Sequence, residues 1–245
     1  MKVIVLVAGY ATRLYPLTLN TPKALLKIGE DTMLDFVMKK LTKIPEVDEV
    51  YLISNDKFSQ TFQNWADNAN YSFNIKVLND GTNTNETRLG AIGDIQFVLE
   101  NTNIDDDLTV LVSDNYFTFE LSDFYDYYKN KQRDVVLGTK FEDLEYLSKH
   151  FGVAIIDEDD RVLDMVEKPG RVISDTGLYA SYIFKKETLP MFKVYLDEGN
   201  SPDAPGNFIA WLHKRKPVYC YRFEGECYDI GTIDMYNTLV EKFNK

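Results

Sequence analysis

Residues 3–8, Val3-Ile4-Val5-Leu6-Val7-Ala8, run without a polar side chain into Gly9-Tyr10-Ala11-Thr12-Arg13, and Tyr15-Pro16-Leu17-Thr18 and Pro22-Lys23 follow. A short apolar run rich in β-branched residues and closed by glycine reads as a strand buried on both faces, as the central strands of parallel sheets are. Glycine at the strand end lets the backbone turn sharply and approach a ligand closely. Successive N–H groups in such a turn can cradle phosphate oxygens. Residues 3–29 contain no Asp or Glu yet keep Arg13, Lys23 and Lys27, although the whole chain has 27 Lys+Arg against 39 Asp+Glu and a formal net charge of −12. Burial explains the missing acids within the strand but not within the polar stretch 9–22. The segment is therefore expected to receive an anion.

Two familiar phosphate loops do not fit. The P-loop needs Gly-Lys-Ser/Thr, and no Lys follows a Gly here. The dinucleotide fingerprint needs a glycine at position 11, which is Ala11, and a helix starting at once, which Pro16 and Pro22 oppose. A long polar loop with two separated cations suits several phosphates lying across it.

Outward from this loop, strand-like runs at 50–54, 75–78, 108–113 and 135–139 alternate with helix-period segments. Residues 32–44 place Leu34, Val37, Leu41 and Ile44 on one helical face, and 87–99 do the same with Leu89, Ile92, Ile95, Val98 and Leu99. Shorter helices are expected at 57–68 and 122–131. The alternation predicts an α/β three-layer domain with a mostly parallel central sheet. Runs at 151–156 and 161–167 flank Asp157-Glu158-Asp159-Asp160, a hairpin signature, so antiparallel strands join in the second half and the sheet is mixed. A strand at 179–184, helices near 186–196 and 205–213, a strand at 217–223 and a helix at 232–243 complete the reading. No linker or repeat divides the chain, so residues 1–245 are expected to form a single catalytic domain.

Composition narrows the class. With 44% hydrophobic and 27% charged residues in 245, the chain is globular rather than disordered and can bury a full core. The run at 3–8 is too short to cross a bilayer, and Lys2 leads straight into it, so no cleavable signal is expected. Cys220 and Cys227 give neither metal spacing nor a disulfide framework. A cytoplasmic protein follows, and the acidic balance argues against nucleic-acid or anionic-membrane partners. The run 157–160 lacks the alternation and glycine of a calcium loop and reads as a solvated turn. His150 and His213 are isolated, and no Ser or Cys sits in a nucleophile elbow, so covalent catalysis has no support.

Residues 6–18 with Pro22-Lys23 resemble the N-terminal signature of sugar-1-phosphate nucleotidyltransferases, nearest to the glucose-1-phosphate thymidylyltransferase-like group. The resemblance continues in order along about 220 residues. Val112-Ser113-Asp114-Asn115 sits where that family carries a metal-binding aspartate, and Phe151-Gly152-Val153 resembles its sugar-contacting glycine segment. Glu167-Lys168-Pro169 matches its Glu-Lys-Pro motif, and Tyr228-Asp229-Ile230-Gly231-Thr232 its Asp-x-Gly-Thr. The length matches the catalytic core without the β-helix some relatives append.

The resemblance implies the family's Rossmann-like nucleotidyltransferase fold and a reaction in NDP-sugar biosynthesis. A sugar 1-phosphate attacks the α-phosphorus of a nucleoside triphosphate, giving an NDP-sugar and pyrophosphate. It further implies that Leu6, Ala8, Gly9, Tyr10, Ala11, Thr12, Arg13, Lys23, Arg88 and Gly90 bind the nucleotide. Asn115, Gly152, Glu167, Lys168 and Tyr179 would bind the sugar phosphate, and Asp114 and Asp229 would share one Mg²⁺. Arg13, Lys23 and Lys168 would carry catalysis, on the β- and γ-phosphates, the α-phosphate and the sugar phosphate respectively.

Each has a plainer alternative: a surface lysine for Lys23, a cap or turn for Asp114 and Asp229, a solvated helix residue for Arg88. Two departures stand out. Ala11 replaces a second glycine, which requires a negative φ there, and Ser113 replaces a glycine before the aspartate. The segment from Asn83 to Ala91 lacks the Gln pattern of thymidylyl or uridylyl enzymes. Gly90 is expected to let the backbone lie against the base, and Tyr10 with Leu89 to leave a pyrimidine-sized slot. Rival readings are a cytidylyltransferase acting on a non-sugar phosphate such as phosphocholine and a non-catalytic nucleotide-sensing subunit. A homo-oligomer stays open.

Overall fold

In the computed structural model, which describes residues 1–243, the first predicted strand forms over Lys2–Leu6 (β1) with Val3, Ile4 and Val5 fully buried. There follow β2 (Lys27–Ile28), β3 (Asp31–Thr32), α1 (Met33–Leu41), β4 (Glu49–Ser54), α2 (Ser59–Asn68), β5 (Asn74–Asn79) and α3 (Ala91–Asn101). Next come β6 (Leu108–Val112), β7 (Asn115–Phe117), α4 (Leu121–Lys131), β8 (Asp134–Lys140), α5 (Leu144–His150), β9 (Gly152–Ile156) and β10 (Val162–Glu167). The chain continues through β11 (Thr176–Phe184), α6 (Pro190–Asp197), α7 (Pro205–Leu212), β12 (Val218–Arg222), β13 (Cys227–Asp229) and α8 (Ile233–Phe243). The α/β class and mixed central sheet expected from the alternation are present.

The chain packs as two compact units, neither continuous in sequence. The first takes Met1–Leu89, Leu111–Ser122 and the segment from Gly225 onward. Its strands β1, β4 and β5 are parallel, with Val3 opposite Val50 and Val50 opposite Ile75. Helix α1 starts where Thr32 and Asp35 cap each other: the Thr32 hydroxyl accepts from the Asp35 N–H at 3.2 Å, and the Asp35 carboxylate accepts from the Thr32 N–H at 2.9 Å. Leu34, Val37, Met38 and Leu41 form its buried face at helical spacing. The ribbon of β7 against β13, with Asn115 opposite Asp229, is antiparallel. Three-residue strands carry no periodicity, so the sequence did not announce it.

The second unit takes Gly90–Val110 and Asp123–Glu224. Here β12 runs parallel to β8, while β11 is antiparallel to β8 and β9, and β9 to β10. The acidic run between β9 and β10 is the expected turn. Asp157 Oδ1 accepts the N–H groups of Asp159 and Arg161, and Asp160 takes the left-handed conformation. Phe192 and Phe208 stack at 4.0 Å between ring centres and meet Phe184 edge-on, which packs α6 and α7 onto the end of β11.

The helix expected over 87–99 begins four residues late, at Ala91. Residues Asn85–Thr87 form a short 3-10 turn, and Gly90 at φ 81° interrupts the path between the two.

Candidate active site

In the first unit, the end of β1 is held by its neighbour. The Val7 N–H donates to Ile53 O at 3.0 Å, and Asn55 Nδ2 donates to Ala8 O at 2.7 Å. The exposed Gly9 that follows has open space where a side chain would stand, so a ligand can reach its backbone.

Ala11 corrects the sequence expectation: its φ is +48° and ψ is 42°, the left-handed region rather than negative φ. That conformation costs a non-glycine residue roughly 1–2 kcal/mol, and neighbours hold it. The fully buried Thr18 donates its hydroxyl to Ala11 O at 2.8 Å, and the Leu14 N–H donates to the same oxygen at 3.0 Å. Leu14 in turn packs with Leu26, Ile28, Met33, Ile230 and Leu239. The loop is thus a rigid turn with one 3-10 segment, Thr12–Leu14, between Ala11 and Tyr15.

Arg13 stands beside the C-terminal motif, both Nη atoms 3.7 Å from where a Cβ on Gly231 would lie. Among the described residues it makes no hydrogen bond or ion pair, so its guanidinium is available to an anion. Tyr10 is buried, with its hydroxyl donated to Thr82 O at 2.9 Å, and burial pushes the phenol above its usual range.

Lys23 opens a 3-10 turn after Pro22 and places its ammonium 2.9 Å from Asp114 Oδ2. The lysine side chain is 13% exposed and the aspartate 37%, so the cation is sheltered while the carboxylate still faces solvent. Ser113, in place of a glycine, is buried and donates its hydroxyl to Leu6 O at 3.2 Å, which fixes the turn before Asp114 onto β1. The β13 segment closes on the same turn, for the Ile230 N–H donates to Asp114 O at 3.1 Å. Asp114 and Asp229, 115 positions apart in sequence, are thereby brought to adjacent ends of one two-stranded ribbon. Asn115, buried on β7 opposite Asp229, belongs to that ribbon.

Arg88 is exposed and donates to Asn85 O at 2.7 Å. Gly90 has a packing reason of its own. It is buried, and a Cβ there would stand 2.7 Å from Pro202 O and 2.9 Å from Asp203 Cα. Its lack of a side chain serves close packing and a positive φ within the second unit.

In the second unit, Gly152 at the start of β9 pairs with Glu167 at the end of β10. The Glu167 carboxylate lies between two glycines: Oε2 would be 2.9 Å from a Cβ on Gly152 and 2.1 Å from one on Gly206. It accepts no hydrogen bond from the described residues. Burial raises its pKa, opposed by the charge of Lys168. A half-buried carboxylate without a hydrogen-bond donor, on a floor made by two glycines, has room and lone pairs to accept from a ligand.

Lys168 has φ +45°, held by its N–H on Phe151 O at 3.1 Å and by the Gly170 N–H on Ser148 O at 2.9 Å. Its ammonium has no ion pair among the described residues. Tyr179 is buried in an aromatic group with Phe141, Phe151 and Phe223. It stands behind the Gly152 segment through Phe151.

Two functional residues escaped the sequence reading. Thr18 was quoted only as part of a motif, although a threonine between Leu17 and Leu19 that becomes fully buried must spend its hydroxyl on the backbone. Gly206 had one signal, a glycine directly after Pro205 in a helical segment where alanine is the better residue.

A sheltered cation paired with Asp114, one at Arg13 unpaired among the described residues, and two aspartates on one ribbon stand on an α/β scaffold beside a glycine turn open to solvent. The chain belongs to the nucleotidyl transferase family, which it matches over residues 2–245. The protein of Sulfolobus acidocaldarius named "Putative mannose-1-phosphate guanyltransferase" is 32% identical over 190 residues, 77% of this chain and 50% of that protein. The UTP–glucose-1-phosphate uridylyltransferase of Synechocystis is 25% identical over 252 residues, 96% of this chain and 61% of that one. The chain therefore spans about half the length of the curated relatives it matches. A crystal structure of UDP-glucose pyrophosphorylase complexed with UDP-glucose superposes with a TM-score of 0.83 at 18% identity, covering 99% of this chain and 98% of that one, which shows the shared fold.

Proposed function

We propose that the protein transfers a nucleotidyl group from a nucleoside triphosphate to a sugar 1-phosphate, releasing pyrophosphate and an NDP-sugar. The observation that carries the reading is the Lys23–Asp114 pair at 2.9 Å, anchored beside the Asp229 ribbon. The attacking phosphate is mostly dianionic at neutral pH, its second pKa being about 6, so no general base is required. The chemical problem is charge, and the chain answers it with cations.

Arg13 takes the leaving β- and γ-phosphates. Lys23, oriented by Asp114, neutralises charge growing around the α-phosphorus. The backbone around Gly9 and Ala11, with Leu6, Ala8, Tyr10 and Thr12, shapes the nucleotide side. In the second unit, Lys168 takes the sugar phosphate and Glu167 accepts from sugar hydroxyls, with Gly152 making room. Asn115 in the first unit and Tyr179 in the second support the sugar side, and residues 1–245 count as a single catalytic domain in this reading.

The donor set fits Mg²⁺. Asp114 and Asp229 supply hard oxygen ligands from neighbouring strand ends, and no cluster of three or more His, Cys, Asp or Glu suited to a metal occurs among the described residues. Magnesium commonly takes one or two carboxylates and completes its shell with water and phosphate. When bound, it screens phosphate charge.

The pyrimidine preference now rests on Tyr10 and Leu89, since Gly90 is explained by packing. No observation favours phosphocholine or a sensing subunit. No described helix is long and apolar enough to cross a membrane, and the acidic composition, with no disulfide among the described residues, supports a cytoplasmic setting. A pyrophosphate-release screen of five nucleoside triphosphates against a panel of sugar 1-phosphates tests the reading. Turnover requires one matched pair, and silence across the whole grid in Mg²⁺ rejects it.

A further inference from the structure

A cleft in the first unit, about 510 Å³, is lined by residues with no part in the proposed reaction. Its wall is aromatic. Trp65 on α2 and Tyr71 just before β5 stand 6.2 Å apart between ring centres with planes 33° apart, and Tyr71 is backed by the buried Phe73, stacked at 5.5 Å. Trp65 and Tyr71 are both half-buried, each presenting part of its ring to the cleft.

The rim is amide. Asn64, Asn68 and Asn70 line the same cleft. Asn64 Oδ1 accepts from Gln60, and Asn68 Nδ2 donates to Asn64 O. Asn64 Nδ2, Asn68 Oδ1, the whole Asn70 amide and the Trp65 indole N–H make no hydrogen bond with any described residue. Both donors and acceptors are thus left open among the residues that line an aromatic wall.

The charged residues of the cleft already have partners. Lys39 Nζ lies 2.7 Å and 2.6 Å from the two carboxylate oxygens of Asp31. Asp35 accepts from the Thr32 N–H and hydroxyl through Oδ2 and from the Tyr71 hydroxyl through Oδ1. A phosphate would therefore find no unpaired cation, and both Asp35 oxygens already accept hydrogen bonds.

We propose that this cleft binds a neutral saccharide. A pyranose has one face of C–H groups that covers an aromatic wall and a ring of hydroxyls, each both donor and acceptor, that suits amides offering both. A flat nucleobase wants two parallel rings or one broad one. Two rings splayed by 33° instead follow a puckered ring. The site goes beyond the transferase reading and does not depend on it.

The chain has two tryptophans, which makes the test direct. Trp211 is buried, and its N–H is donated to Glu198 at 2.6 Å, so a saccharide that reaches the surface alters Trp65 emission alone. The intact protein is titrated with methyl glucoside, methyl mannoside, maltose and, as controls, uridine and a sugar 1-phosphate. The expected result is saturable quenching by at least one neutral sugar with Kd on the order of millimolar. Asn70→Ala should weaken it at least 5-fold, and Trp65→Phe should abolish the signal while turnover stays unchanged. Lys168→Ala should leave the titration unaltered, which separates this cleft from the proposed catalytic one. No saturable response to any neutral sugar at 100 mM (roughly 100-fold above such a Kd) would overturn the proposal. So would tighter binding of uridine or of the phosphorylated sugar, or quenching that Asn70→Ala does not weaken. Because Trp65→Phe removes the reporter whatever its effect on binding, proton chemical shifts of the sugar titrated against that variant provide the second measurement. Undiminished shifts there would place the sugar elsewhere.

Discussion

Gly206→Ala sets two forces in opposition. In α7 an alanine is the better helix residue by up to about 1 kcal/mol, so propensity alone predicts a melting temperature higher by up to about 2–4 °C for a chain of this size. The structure adds a collision: the new methyl would sit 2.1 Å from Glu167 Oε2 and 3.0 Å from Met165 Cε. Both are ends of flexible side chains, so the fold can absorb the methyl by swinging Glu167 away, at little net cost in stability. Function cannot absorb it. A hydrogen bond to a charged group contributes about 1.5–3 kcal/mol, so losing the carboxylate from its place should raise KM for the sugar phosphate on the order of 10- to 100-fold. KM for the triphosphate should not change. The assay is a double-mutant cycle in steady-state kinetics with calorimetric melting of each variant. In a Glu167→Ala background, Gly206→Ala should add nothing further. An unchanged sugar-phosphate KM in the single variant, or an undiminished effect in the Glu167→Ala background, would refute the assignment of Glu167 to the sugar.

Lys23→Ala should chiefly lower kcat, because it removes charge where the transition state needs it, while Lys168→Ala should raise KM for the sugar phosphate more than for the triphosphate. If Lys168→Ala weakened only the nucleotide, the two roles would be exchanged. Asp114→Asn should cut turnover by orders of magnitude with little change in melting, and full activity in Mg²⁺ would remove the metal assignment. Glu167→Gln addresses pH: burial raises the folded carboxyl above its ordinary value near 4.5. The folded state then holds that proton more readily than the unfolded one, and stability falls as pH rises from 4.5 through the folded pKa. The glutamine should therefore flatten that fall in melting scans taken across the window. Ala11→Gly should leave stability unchanged or raise it by up to about 1 kcal/mol, since relief of left-handed strain is set against glycine's entropy. A loss of several degrees would show that the methyl packs usefully.

The strands were legible because burial on both faces writes continuous apolar runs, as at β1 and β6, and α1 because its apolar spacing and Thr32 cap agree. The helix after Leu89 was misplaced because Leu89 lies in register with Ile92 and Ile95. Periodicity cannot see that Gly90 must reach φ 81° to pass beneath Pro202. The ribbon that joins Asp114 to Asp229 was invisible, being two three-residue strands far apart in sequence. The motifs singled out these aspartates, and the ribbon supplies the reason they stand together. Thr18 and Gly206 escaped for the same reason: each matters through what it lets another residue do.

Among the described residues, two of the four non-glycine residues at positive φ are Ala11 and Lys168. The other two, Gln132 and Asp160, close turns after α4 and between β9 and β10. Ala11 and Lys168 instead lie in the nucleotide loop of one unit and the Glu-Lys-Pro turn of the other, each beside or bearing a cation with no ion pair among the described residues. Strain of this kind persists only where surroundings over-determine it. At Ala11 the surroundings are the Thr18 hydroxyl and the Leu14 N–H. At Lys168 they are the carbonyls of Phe151 and Ser148. In both places the backbone is bent before any ligand arrives, so the root of the Arg13 loop and of the Lys168 side chain is fixed although each charged end has no partner among the described residues. For the proposed reaction, whose difficulty is bringing two anions together, a backbone fixed beforehand lowers the ordering that binding must supply.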